Sequence, residues 1–479
     1  MHRLRLTRRT LLAATLAARP TAPRAEPDGQ TIDLVIAAPA ASASARTALA
    51  MAPAFAAYAK AQHGYTVDIR TETTPEASYY DSLVATLKAQ SASPTLLVID
   101  TEWLDALAAP KWILPLNPLI QANPTLEVDW FSPIVRSAFQ LYPDHVANRW
   151  AIPLAPDILV LYVRKDLLTA PDEIDAFRRR YAAPLPQTWD DFDRLAWPDY
   201  LRVLDFFTRP ETGLHGLASH FSPADDGLAS AATSFIFGAD GEIWRSKGGQ
   251  VEGILDTDVN ADALAAYKSL QAYQPEDAIH YATDHVTAAF RQKKVFSALQ
   301  WNSEGPAMIP PLMLDDVLVV PPPAFVGPDG QKRRRYVLGG KSWAINAVAD
   351  DAHRRVAADF LAWWVAPDTV LEFARNGGTP CDRITVSRDD IDTIQPWFRA
   401  YRATLPGAGQ LWRDPSFHDL LDIQSKAFGA IMAGAPARAT LGAAACRQQS
   451  ILFGEGTAES QPGPSCQELR PGTPDPSLR

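Results

Sequence analysis

Apolar positions in the first hundred residues fall into short runs of two kinds. Thr31 to Ala37 (TIDLVIA), Thr66 to Thr71 (TVDIRT) and Thr95 to Ile99 (TLLVI) are brief and rich in β-branched residues, which predicts strands. The stretches between them, Thr47 to Gln62 and Tyr79 to Ala89, are long enough for helices and predict them. Strands and helices alternating at this spacing mean right-handed crossovers and a parallel sheet covered on both faces. Ligands of such sheets gather at the carboxyl ends of the strands, which puts Thr71-Glu72-Thr73 and Asp100-Thr101-Glu102-Trp103 on one rim of a cleft.

Length and composition extend this picture. A chain of 479 residues is too long for one ordinary core and suits two lobes of unequal size. With 47% hydrophobic and 21% charged residues it reads as globular, and 40 prolines imply many turns. The first 25 residues differ: six arginines and no acid surround the short apolar run Leu11 to Ala18. That is the plan of a signal peptide, with cleavage expected after Ala25. Arg8-Arg9, followed by Leu11-Leu12, resembles the twin-arginine export signal.

Removing this leader moves the formal net charge from -10 to -16. Such an acidic protein is repelled by nucleic-acid phosphates and anionic lipid, so neither is an expected partner. The basic run Lys332 to Arg335 follows Pro328-Asp329-Gly330 and reads as a solvated hairpin arm. No cysteine stands in or just after the leader, so no lipoprotein anchor is expected; the mature chain, 26–479, reads as soluble and periplasmic. Cys446 and Cys466 enclose a loop for which a disulfide is worth about 3 kcal/mol in the chain-entropy model. Cys381 is left as a buried, inert thiol.

Several longer segments carry a family resemblance. Ser93 to Leu119 contains Asp100 after its strand and the segment Trp112 to Leu116, of the form "W-x-L-P-L". Trp150 to Leu168 (WAIPLAPDILVLYVRKDLL) has an "x-I-P" entry followed by "L-Y-x-x-x-D-L". Pro184 to Phe192 (PLPQTWDDF), Gly216-Leu217-Ala218, Val317 to Ile345, Ala357 to Trp364 (AADFLAWW) and Gly377 to Arg383 (GGTPCDR) follow in order. Together these resemble the bacterial extracellular solute-binding proteins of family 1, the maltose-binding type that serves ABC importers. The match covers most of residues 30 to 385 and loses its counterpart after about residue 400.

The resemblance implies an α/β, two-lobed periplasmic-binding-protein fold of type II. Each lobe is then a mainly parallel sheet flanked by helices, with the ligand cleft between lobes. Crossings are expected near Pro153 to Asp157, Val319 to Pro323 and Trp364 to Asp368. Lobe one would comprise 26–154 and 320–364, and lobe two 155–319 and 365–440, leaving 441–479 as a tail. The implied function is reversible capture of a sugar, oligosaccharide or polyol by hinge closure, with ABC permease subunits as partners of a monomer.

A sugar site needs aromatic platforms beside carboxylates or amides. Candidates at matched positions are Glu72, Tyr79, Asp100 and Trp103 of lobe one and Asp157 of the crossing. Trp301, Asn302 and Glu304 come from lobe two, with Trp343 and Arg383 on returning loops. Trp301 is the foremost, because it follows the short strand Phe296 to Gln300. Each has a plainer reading as a packing, turn or ion-pair residue. Trp112, Trp189, Trp363 and Trp364 are assigned to packing. Zinc-protease, α/β-hydrolase and P-loop signatures are missing, and Asp256 to Asn260 begins like a calcium loop but has Ala261 where glycine is needed. No catalytic residue, metal or cofactor is expected. Two alternatives remain open: an exported hydrolase using carboxylates such as Asp100, Asp157 or Glu304, and a receptor of the same fold that presents its ligand to a membrane sensor.

Overall fold

The computed structural model describes residues 31–143, 146–247, 249–327 and 329–453. The expected leader and Cys466 lie outside these residues.

The three predicted strands and two helices form, all longer than predicted except the third strand, which keeps five residues and starts one position later. β1 (Thr31–Pro39), β2 (Thr66–Thr74) and β3 (Leu96–Asp100) are joined by helices α1 (Ala43–His63) and α2 (Glu76–Lys88). Capping sets the extra turn of α1: the Ser42 side chain accepts the Ala45 amide, and Gly64 closes the far end at φ 79°. β1 pairs in parallel with β2 along its whole length and with β3 at Ile36 and Ala37.

β4 (Ile152–Arg164) is the spine of the molecule. Beyond it come β5 (His215–Ala218), β6 (Val295–Trp301), β7 (Val317–Val320), the small hairpin β8 (Phe325–Val326) and β9 (Lys332–Arg333), and β10 (Leu338–Ile345). The sheet runs in the order β2-β1-β3-β10-β4-β6-β5, with β7 also on β4. Ile152 to Ile158 of β4 pair antiparallel with β10, whereas Leu159 to Arg164 pair antiparallel with β6 and β7. The strand therefore changes lobes between Ile158 and Leu159. The sheet is parallel within the crossover units, β1 with β2 and β3 and β5 with β6, and antiparallel where β4 and β10 pass between lobes.

Each lobe has an aromatic core. Trp343 of β10 is fully buried against Phe360 and Trp364 of helix Asp351–Trp364. In lobe two Trp197 packs on Phe235 and Phe325, and Phe325 on Tyr336. Residues 321–337 thus stay with lobe two, and the return to lobe one comes with β10, later than the expected Val319 to Pro323. Phe325 packs on both Trp197 and Phe235, and the Tyr336 hydroxyl accepts the Trp197 indole N–H, which holds this segment on lobe two.

Part of the expected tail is structured. Helix Ala437–Phe453 buries Thr440, Leu441, Ala444 and Ala445 against the body, and Gln449 accepts the amides of Val251 and Glu252. The helix was missed because its apolar surface is mostly alanine. Cys446, on this helix, is disulfide-bonded; its expected partner Cys466 is not among the described residues. Cys381 is a buried free thiol whose pKa burial pushes well up.

The basic hairpin arm is ion-paired, with Arg333 on Asp329 and Arg335 on Asp240. The calcium-like run is a helix start: Thr257 caps helix Asp258–Ser269, and Asn260 donates to the carbonyls of Glu242, Ile254 and Leu255.

Candidate ligand-binding site

A cavity of about 250 Å³ lies where the carboxyl ends of the strands of both lobes converge. Lobe one contributes Ser42 at the start of α1, Glu76 at the start of α2, Asp100 ending β3, and Gly339, Gly340 and Lys341 of β10. From lobe two come Asp225 and Asp226 before helix Gly227–Gly238, and Asp284 in the first turn of helix Thr283–Arg291. Trp301 ends β6, and Ser303 and Glu304 follow it. Asp157, beside the lobe change on β4, closes the wall.

Lys341 is the one basic residue in this wall. Its ammonium lies 2.7 Å from Asp100 and 3.1 Å from Glu76. Burial works to lower its pKa, but the two carboxylates more than offset that and hold it protonated. Next to it, Gly340 has φ 126°, and a Cβ there would sit 2.3 Å from the Ala155 carbonyl. Only glycine lets β10 approach β4 so closely.

Seven carboxylates face this single cation: Glu76, Asp100, Asp157, Asp225, Asp226, Asp284 and Glu304. Asp157 accepts from the Ser303 amide and hydroxyl. Burial outweighs those bonds and pushes its carboxyl up to about 7. Asp225 accepts from the Gly227 amide and from the amide and hydroxyl of Thr283. Asp226 and Glu304 are also raised, first by enclosure and then by acidic neighbours, Asp225 and Asp100 for one and Asp284 and Glu76 for the other. Behind this wall Glu102 is buried, with one oxygen lacking any hydrogen-bond partner among the described residues. Burial and the nearby Asp226 and Asp100 push its pKa well up.

The cavity thus takes in four of the ten residues picked from sequence: Asp100, Asp157, Trp301 and Glu304. The other six lie elsewhere. Tyr79 is core, its hydroxyl donating to the Val98 carbonyl at 2.8 Å, and Trp103 packs on Tyr79 and Tyr80. Trp343 is the lobe-one core residue described above. Asn302 is fully buried, accepting the Ile158 amide and donating to Thr379. Arg383 makes an exposed pair with Asp129, and Glu72 is exposed on β2. Glu76, Asp225, Asp226, Asp284 and Lys341 were missed. A signal for one pair existed, since Asp225-Asp226-Gly227 lies in the loop that follows the strand at Gly216-Leu217-Ala218, on the side where ligands of such sheets gather.

Among the described residues no group of three or more histidine, cysteine or acidic side chains has the arrangement of a metal site. No helix among the described residues is long and apolar enough to cross a membrane.

Solved structures share this architecture. An ABC transporter solute-binding protein from Agrobacterium radiobacter, in complex with ribitol, matches with a TM-score of 0.71 at 20% identity, over 88% of this chain and 98% of that one. A maltose-bound protein of T. maritima matches with a TM-score of 0.70 at 16% identity, over 88% of this chain and all of that one. A solute-binding protein from Agrobacterium vitis, with bound D-mannitol, gives 0.65 at 17% identity over 88% and 98%. At these identities the likeness is one of fold. Family membership rests on the sequence itself: residues 41–370 match the model of the bacterial extracellular solute-binding proteins, and the chain belongs to that family.

Proposed function

We propose that this chain is the substrate-binding subunit of an ABC importer, a non-catalytic receptor that captures a small polar solute by closing two lobes around it. One observation carries the reading: a single cavity draws its walls from both lobes and from Asp157 on the strand that joins them. A solute held there touches both lobes at once and so favours their closed arrangement, which membrane subunits can then recognise. The size fits a single sugar ring or a linear polyol, since about 250 Å³ lies just below the roughly 300–1,000 Å³ of drug-sized sites. Neighbours of this fold hold ribitol, D-tagatose and D-mannitol, solutes of that size.

The hydrolase alternative is less well supported. Both oxygens of Asp157 are engaged by Ser303, and Asp100 is tied to Lys341, so neither is free to attack or to carry a proton to substrate. The export signal and sugar class read from the sequence fit a receptor working in the periplasm. A thermal-shift screen of residues 26–479 tests the proposal, because a ligand at a hundred times its Kd stabilises the folded state by about 2.7 kcal/mol. One compound raising the midpoint and recovered unchanged after incubation is the expected result. Slow cleavage of a glycoside, with every midpoint flat, would refute it.

A further inference from the structure

The charge of this cavity bears on the chemistry of its solute. Residues at the N-termini of α1, α2 and helices Gly227–Gly238 and Thr283–Arg291 line it, and each helix start brings about half a positive charge, so about two together. Lys341 adds one more. Against the seven carboxylates this leaves the space negative by several charges. Arg46, whose charge acts to lower the pKa of Glu304, is exposed and donates to the Ala41 carbonyl.

The carboxylates also differ in how they are satisfied. Asp100 and Glu76 are neutralised by Lys341, and Asp157 and Asp225 accept several hydrogen bonds. Among the described residues no hydrogen bond or ion pair reaches the side-chain carboxylates of Asp226, Asp284 or Glu304. Behind them stands Glu102, buried with one oxygen unpartnered. Across the cavity lies the indole of Trp301, and a tryptophan face attracts a cation far better than it attracts an anion. Closing such a space around a neutral molecule strips water from unpaired charges and returns only part of their solvation. A hydroxyl gives each carboxylate a hydrogen bond but no countercharge; an ammonium group gives both.

Resting on the receptor reading above, we propose that the solute is a cation: a sugar- or polyol-sized molecule carrying at least one protonated amine. The amine meets Asp226, Asp284 and Glu304 near Trp301, and Lys341 orders Asp100 and Glu76 without consuming the remaining negative charge.

Matched pairs test this. Binding of D-glucosamine is compared with D-glucose, and of 1-amino-1-deoxy-D-sorbitol with D-sorbitol, with spermidine as a cation lacking hydroxyls, by calorimetry and thermal shift at pH 7.5. The expected result is at least tenfold tighter binding of an amine than of its neutral twin, or binding of spermidine alone. The preference should weaken as salt rises from 50 to 300 mM, and Asp226→Asn with Glu304→Gln should lower it about tenfold. Salt dependence of the unmodified protein keeps the test decisive should the double variant fail to fold. A neutral twin that binds as tightly as its amine overturns the cation while leaving the receptor standing. No binding by any of the five overturns both.

Discussion

Asp157 and Ser303 tie the two halves of the sheet together at the cavity. The Asp157 carboxylate, on the strand that changes lobes, accepts the Ser303 amide at 3.0 Å, and the Ser303 hydroxyl donates to its other oxygen. Ser303 stands two residues after β6, so this contact fixes the Trp301 loop of lobe two against the lobe-one stretch of β4.

The protonation of Asp157 should be visible in the stability of the ligand-free protein. Its carboxyl is pushed up to about 7, while an unfolded chain returns it to about 3.9. Between these values the folded state binds the extra proton. The contribution is therefore full below about pH 4 and is lost as pH rises through 7. Asp157→Asn keeps an oxygen for the Ser303 amide and removes the buried charge. The variant should be more stable than the parent by about 1–2 kcal/mol at pH 8 and show no gain at pH 4, read from urea unfolding at both pH values. An equal gain at both would show that charge is not the cause.

Lys341 is expected to matter for stability more than any other charged wall residue. Lys341→Met leaves Asp100 and Glu76 facing each other without a countercharge, a loss of about 3–5 kcal/mol. Adding Asp100→Asn should restore part of it, and a double-mutant cycle measures the coupling. Additive losses would show that the 2.7 Å pair contributes nothing of its own.

Trp301 has to be probed gently. It is 7% exposed, and Trp301→Ala should cost about 3–5 kcal/mol through the void it leaves, confounding any binding readout. Trp301→Phe keeps an aromatic face and is expected to retain most of the stability while weakening an amine ligand severalfold, since phenyl is the poorer cation platform. Unchanged affinity in the phenylalanine variant would make Trp301 a packing residue only.

Asn302 looked like a ligand residue from its place in a polar loop, yet it holds the lobe change. Asn302→Ala orphans the Ile158 amide and the Thr379 hydroxyl inside the core, which should cost about 2–4 kcal/mol with little direct effect on ligand contacts. Denaturant unfolding checks the first part, and titration of the folded variant the second.

The sequence by itself determined the first three strands and two helices of lobe one, the alternation that makes its sheet parallel, the crossing strand and the family. Those features are written in local periodicity and in motif order, and neither needs distant partners. Trp301, Asp100 and Glu304 could be picked because a residue just past a strand end has one place to go. Tyr79, Trp103 and Trp343 show the limit. Position on a strand or helix does not tell which face a large aromatic ring will occupy, and burying that much apolar surface in a core outweighed display in a cleft. The acidity of the cavity was a tertiary decision as well. Glu76, Asp100, Asp226, Asp284 and Glu304 belong to five separate segments of two lobes, each an ordinary helix-start or strand-end acid alone. Only the folding of β4 and β10 across both lobes brings them to one space, where their charges add.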